Sequence, residues 1–157
     1  MNTTQRLTVI WLNLLALFLT ACTTQPGEVA RADRLAHPAG TSRSVTVEFS
    51  LQTAMRDGHI VYVGSGGGIE GVVNPDLVVQ PGDVVRVILT NTDGMLHDLF
   101  IPDLGVRTSP VAKIGERAEM VFEASDAPPG SYAYYCTSPG HRQAGQEGQL
   151  IVAGSAP

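Results

Sequence analysis

At 157 residues the chain has room for one domain rather than two. Only 16% of its residues are charged, against about a quarter in ordinary globular domains, and its 17 glycines and 10 prolines favour frequent turns over long helices. The net charge of −5 and pI near 5.2 leave no basic footprint, which argues against nucleic acid as a partner.

The chain opens with Met1 to Arg6, short, polar and carrying one positive charge, followed by a 13-residue apolar run from Leu7 to Leu19. Thr20-Ala21 then leads into Cys22. A basic start, an apolar stretch of this length and small residues make a secretory signal, too short to span a bilayer comfortably. A transmembrane anchor and a plain secretory signal cut elsewhere are the competing readings. Leu19-Thr20-Ala21-Cys22 resembles the bacterial lipobox. That resemblance implies a lipoprotein signal peptide over residues 1–21 and acylation of Cys22 on its sulfur and amine. Several acyl chains anchor stably where one is marginal. Thr23 stands where Asp would signal inner-membrane retention. The expected location is therefore exported, lipid-anchored on the periplasmic side, at the outer membrane where the cell has one.

Residues 22–44 comprise Cys22 and a stretch without apolar periodicity, expected to be a flexible tether. As a coil its r.m.s. reach is about 25 Å. His37, beside Pro38, is expected to be solvated there. The domain is expected over residues 45–153, with a tail at 154–157. Short β-rich runs follow one another within it: Val45 to Phe49, Ile60 to Val63, Leu77 to Val79, Val84 to Leu89, Leu99 to Ile101, Ala118 to Phe122, Ser131 to Tyr135 and Gln149 to Val152. Gln80-Pro81-Gly82-Asp83 is a strong turn. About eight short strands and no convincing helix predict an all-β fold, a Greek-key β-sandwich. The run Gly64 to Gly71 lacks the Lys-Ser/Thr and the helix of a phosphate loop and reads as an inter-strand loop.

The chain has two cysteines. If Cys22 is lipidated, Cys136 has no disulfide partner, and a lone thiol in an oxidising compartment must ligate metal, act as a nucleophile or lie buried. Cys136 and His141 stand five positions apart in one loop between two strands. His97 follows an earlier strand and turn, 39 residues before Cys136. Two imidazoles and one thiolate with a weak fourth donor form a blue-copper set. The soft thiolate suits Cu(I), and neutral imidazole suits both oxidation states. His59, just before the second strand, has no apparent partner and is expected at the surface.

The Cys-x4-His loop, the upstream His, Tyr134-Tyr135-Cys136 and Gly140 to Gly145 resemble the cupredoxin family, and more narrowly the cupredoxin domains fused to copper-containing nitrite reductases. Tyr62-Val63-Gly64, Gly71 to Pro75 and Gln80 to Asp83 fit the same pattern, so the resemblance covers roughly residues 58–153. It implies one mononuclear type 1 copper on His97, Cys136 and His141. The family's usual axial Met is replaced here by Gln146, and stellacyanin-like members use Gln in that role. The resemblance thus implies Gln146 as axial ligand and a potential lower than that of a Met-bearing relative; a polar loop residue is the alternative reading. Asp98 stands where the family often has Asn and is expected to hydrogen-bond the ligand loop.

Enzymatic readings fit poorly. Tyr135 occupies the position at which nitrite reductases carry a His for catalytic copper. Four histidines with no His-x-His pair do not furnish a multicopper oxidase cluster, and Gly140 stands where a binuclear copper centre needs a second Cys. The expected function is a membrane-tethered carrier of single electrons between redox protein partners, monomeric, with Pro139, Gly140 and Ala144 around His141 forming a docking patch. The alternative is a periplasmic protein for copper delivery or storage, against which the four methionines form no cluster. A third reading is a metal-free structural cupredoxin.

Overall fold

The computed structural model describes residues 44–154. The expected signal peptide, Cys22, His37, nearly all of the tether and residues 155–157 lie outside the described residues. Among the described residues nine strands form two sheets. Strands β1 (Val47–Arg56), β2 (His59–Gly64), β4 (Val84–Thr90) and β7 (Arg117–Glu123) make a four-stranded sheet in the order β2-β1-β4-β7. Strands β3 (Leu77–Val79), β5 (Phe100–Ile101), β6 (Val106–Arg107), β8 (Gly130–Tyr135) and β9 (Glu147–Val152) make a five-stranded one in the order β3-β9-β8-β5-β6. Pairing is antiparallel except for β1 with β4 and β3 with β9. A parallel neighbour needs a crossover, and the chain makes it by visiting the other sheet, which gives the sandwich its Greek-key connections. The helical content of the described residues is three single 3-10 turns, at Gly67–Ile69, Pro102–Leu104 and Ala124–Asp126. No helix among the described residues is long and apolar enough to cross a membrane.

Period-two alternation decides which side chains meet between the sheets. From the first sheet come Leu51, Val85, Val87, Leu89, Met120 and Phe122, and from the second Leu77, Val79, Ile101, Tyr134, Leu150 and Val152, with Leu99 just before β5, all buried in one cluster. Gly148 serves the packing by having no side chain, since a Cβ there would lie 2.3 Å from the Tyr134 hydroxyl, which donates to the Pro75 carbonyl at 2.7 Å.

Two differences from the expected strands have physical reasons. Strand β1 runs to Arg56 instead of stopping at Phe49. Its second half, Ser50 to Arg56, is rich in polar and helix-favouring residues, yet Asp57 (φ 49°) and Gly58 (φ 80°) turn it directly onto β2. Asp-Gly with both φ positive is a tight hairpin turn, and this dipeptide is the local signal for the extension. Strand β6 is two residues long and exists through its partner β5 rather than through its own propensity.

Candidate metal centre

Three segments at one end of the sandwich supply the site. The first follows β4. Asn91, fully buried, accepts the Asp93 and Gly94 amides on Oδ1 at 3.1 and 2.8 Å and donates from Nδ2 to the Met95 carbonyl at 2.6 Å. This Asx turn, with Gly94 at φ 80°, sets the chain on course for His97. His97 is then held by two backbone hydrogen bonds to Val111, at 2.9 and 2.8 Å. Its ring is buried, and its Nε2 lies 2.8 Å from Asp93 Oδ1.

The second segment is the tight loop after β8. Cys136 is buried one residue past the strand, and its amide donates to the Gln146 carbonyl at 3.2 Å. Between them the loop folds on itself: the His141 amide donates to Ser138, Ala144 to Gly140 and Gln146 to His141, at 2.9–3.1 Å. Gly140 (φ 82°) takes the left-handed turn that presents His141, an arrangement a side chain would strain. Asn74 secures the far end of the loop by donating to the Gly145 carbonyl at 2.8 Å.

The third segment ties the other two together. Asp98, buried behind the loop, accepts the Thr137 amide at 2.7 Å and its hydroxyl at 2.6 Å, as expected of a residue in its place. Arg107 on β6 completes the tie, pairing with Asp98 and donating to Thr137 Oγ1 at 2.7 Å. Tyr62, fully buried, donates its hydroxyl to the Asp98 carbonyl.

Four donor atoms converge where these segments meet. His97 Nδ1 and His141 Nδ1 are 3.3 Å apart, and Gln146 Oε1 lies 3.0 Å from the first and 3.2 Å from the second. Cys136 Sγ is 3.6 Å from His141 Nδ1 and 4.0 Å from His97 Nδ1. A tetrahedron with metal–nitrogen bonds of about 2.0 Å has edges of about 3.3 Å, slightly longer to sulfur. Among the described residues His97, Cys136 and His141 form the one group of three or more His, Cys or acidic side chains spaced for a metal ion. His59 is no part of it; it is exposed, with Nδ1 at 3.2 Å from the Ala144 carbonyl.

The chemistry of the donors fits a cation. When the His97 ring is neutral with its proton on Nε2, where Asp93 accepts it, Nδ1 presents a lone pair to the Gln146 oxygen, which aims another back. Lone pairs at this distance repel unless a proton or a metal ion stands among them. Gln146 is fully buried and turns its oxygen, not its amino group, to the two rings, while its Nε2 has no hydrogen-bond partner. A glutamine present only for hydrogen bonding would donate that Nε2 to the ring nitrogens.

Charge around the site is distributed unevenly. Burial pushes the Asp98 carboxyl up, but the hydroxyl and amide of Thr137 and the Arg107 guanidinium outweigh it and hold the carboxyl below its ordinary value. Asp93 follows the same pattern: burial opposes ionisation, and hydrogen bonds from Met95 and His97 prevail to lower it. Burial likewise disfavours the charged form of His97, yet its contacts with Cys136, Asp93 and Gln146 raise its pKa overall. Burial first, and then the neighbouring Cys136 and Asp98, push the Tyr62 hydroxyl well above its ordinary value.

His97, Cys136, His141 and Gln146 were all readable from spacing and resemblance, and the fold brings them together. Asp93 and Arg107 were not singled out. For Asp93 the available signal is the Asn-Thr-Asp-Gly turn four residues before His97. For Arg107, 30 residues from Thr137, no local signal exists. Of the expected patch, Pro139 and Gly140 are exposed beside the partly exposed His141, and Ala144 is partly buried. Leu96, 53% exposed, adjoins them through the hydrogen bond from Ser138 Oγ to its carbonyl.

No family model matches the chain. A plastocyanin of Synechococcus sp. is 31% identical over 118 residues, covering 70% of this chain and 84% of that protein. Among solved structures, auracyanin B is 20% identical with a TM-score of 0.51, covering 71% of this chain and 92% of its own. The copper nitrite reductase of Nitrosomonas europaea is 21% identical over 70% of this chain and 42% of its own, at a TM-score of 0.51. A multicopper oxidase variant of Aquifex aeolicus gives 0.56 at 16% identity, over 71% of this chain and 28% of its own. These likenesses establish the sandwich. With the plastocyanin identity over most of both chains and the His-Cys-His cluster at the end of the sandwich, the chain belongs to the cupredoxin family.

Proposed function

We propose that this protein carries single electrons between redox partners at one type 1 copper held by His97, Cys136 and His141, with Gln146 as axial donor, and that it is tethered to a membrane through lipid on Cys22. The observation that carries this reading is the meeting of two imidazole nitrogens, a buried thiol and an amide oxygen at mutual distances suited to one ion. Copper, when bound, supplies a one-electron couple.

The chain's own residues supply rigidity and access. Val111 fixes His97 from both sides, and Asp98 with Arg107 pins the residue after Cys136, so the ligands are held in one arrangement for both oxidation states. The low reorganisation that follows favours fast transfer. His141 is partly exposed among Pro139, Gly140 and Leu96, a small apolar surface suited to brief docking. Tyr135 precedes Cys136 in place of a histidine, and we assign the protein no catalysed reaction. The tether reading rests on the lipobox-like Leu19-Thr20-Ala21-Cys22 alone.

Titration of the purified full-length protein with Cu(II) tests the reading. The expected result is an intense thiolate-to-copper absorption saturating at one equivalent and absent from Cys136→Ser. A colourless or pale product with ordinary tetragonal copper would overturn it and favour copper delivery or storage. Labelling with palmitate, lost in Cys22→Ala, tests the anchor separately.

A further inference from the structure

The two histidines of the cluster differ in what stands behind them. His141 has no carboxylate at its Nε2 among the described residues, whereas His97 Nε2 meets Asp93 Oδ1 at 2.8 Å. The Asp93 side chain is only 13% exposed, and among the described residues its sole ion-pair partner is His97. Its placement is built in: the buried Asn91 bonds the Asp93 and Gly94 amides, and the Met95 amide donates to Asp93 Oδ1 at 2.9 Å. A backbone carbonyl would suffice to accept the Nε2 proton. A carboxylate adds a full negative charge one imidazole away from the metal position.

Resting on the copper reading, we propose that Asp93 is a positioning and potential-setting residue, which fixes the His97 proton on Nε2 and favours the oxidised site through its charge. Two effects follow and are separable. Accepting the Nε2 proton leaves the Nδ1 lone pair directed at the other donors, so the ring is oriented before metal arrives. The anionic carboxylate stabilises the state with the greater positive charge, Cu(II) over Cu(I), and does so strongly because the intervening ring is buried and poorly screened. Asp93 and the Gln146 oxygen thus act in the same direction, both lowering the potential.

Asp93→Asn and Asp93→Ala divide the two effects. The Asn carbonyl still accepts the proton but carries no charge; Ala removes both. Potentiometry of the copper-loaded full-length protein should show Asp93→Asn raising the potential by a tenfold change in relative Cu(I) affinity, about 59 mV for one electron. Its Cu(II) affinity should fall by no more than that tenfold factor, and its absorption should stay close to wild type. Asp93→Ala should in addition lose about 10–100-fold in metal affinity. Nitrogen NMR of the metal-free protein in alkaline buffer reads the other half: the His97 proton sits on Nε2 in wild type and Asp93→Asn, and is shared between tautomers in Asp93→Ala. An unchanged potential in Asp93→Asn overturns the electrostatic role, and an unchanged tautomer in Asp93→Ala overturns the positioning role. A wild-type protein that forms no blue site defeats the copper reading instead, and the metal-free NMR still decides whether Asp93 holds the ring.

Discussion

The two imidazoles of this site sit 4.8 Å apart, centroid to centroid, yet live in different surroundings. His97 is sealed in the sandwich, its backbone bridged to Val111 and its outer nitrogen on Asp93. His141 stands on a loop, partly exposed, with loop hydrogen bonds rather than a strand behind it. One ligand is placed by tertiary structure and the other by a turn. The contrast teaches a division of labour: the buried side defines geometry and charge, and the open side provides contact with the outside.

The contrast is broken most directly by removing each ring. His97→Ala and His141→Ala should both abolish the blue absorption, but added free imidazole should restore it only in the second, where solvent reaches the vacated place. His97→Ala should also destabilise the metal-free protein by about 1–3 kcal/mol, because Asp93 loses its donor, as read by thermal unfolding. Rescue of both variants, or of His97→Ala alone, would contradict the assignment of inner and outer ligand.

Asp98→Ala attacks the tie between the two regions. It strands the Thr137 amide and hydroxyl and leaves Arg107 without its carboxylate. Since Arg107 is about half exposed, an expected loss of about 1–3 kcal/mol is measured by denaturant unfolding, together with a broadened copper spectrum. Gly148→Ala works from behind the loop, forcing Tyr134 off Pro75, with a destabilisation of about 1–3 kcal/mol.

Dependence on pH separates the groups by sign. Asp98 has a folded pKa below its ordinary 3.8, so its stabilisation is complete above that value and is lost as pH falls through the lower folded value. Melting of the metal-free protein should therefore drop on acidification below about pH 4, and less so in Asp98→Asn. His97 is raised above its ordinary 6.5, so in the metal-free protein it stabilises below 6.5, and this is lost as pH rises through the folded value. Copper affinity should run the other way and weaken toward acid, because a proton competes for Nδ1. Of smaller consequence for stability, Gln146→Met should raise the potential by exchanging an amide oxygen for a thioether, checked by voltammetry.

What the sequence disclosed follows the same boundary. The His141 side was legible because its geometry is local: Cys136, Gly140, His141 and Gln146 fall within eleven residues, between two strands that alternate clearly. His97 was legible through the family resemblance rather than through local spacing, since it meets the others through the Val111 bridge and the packing of two sheets. Asp93 escaped notice because an Asp before Gly is first a turn residue; its second role depends on where the His97 ring folds back. Arg107 escaped because a two-residue strand has no pattern to read. The β-sandwich was visible in the short branched and aromatic runs, while the polar half of β1 was carried by its neighbours β2 and β4.

The most direct test is a crystal structure of the copper-loaded protein with anomalous scattering recorded at the copper edge. The account predicts a single peak bonded to His97 Nδ1, Cys136 Sγ and His141 Nδ1, with Gln146 Oε1 facing it and Asp93 still on His97 Nε2. A peak at His59, a second copper, or ligation without Cys136 would contradict it.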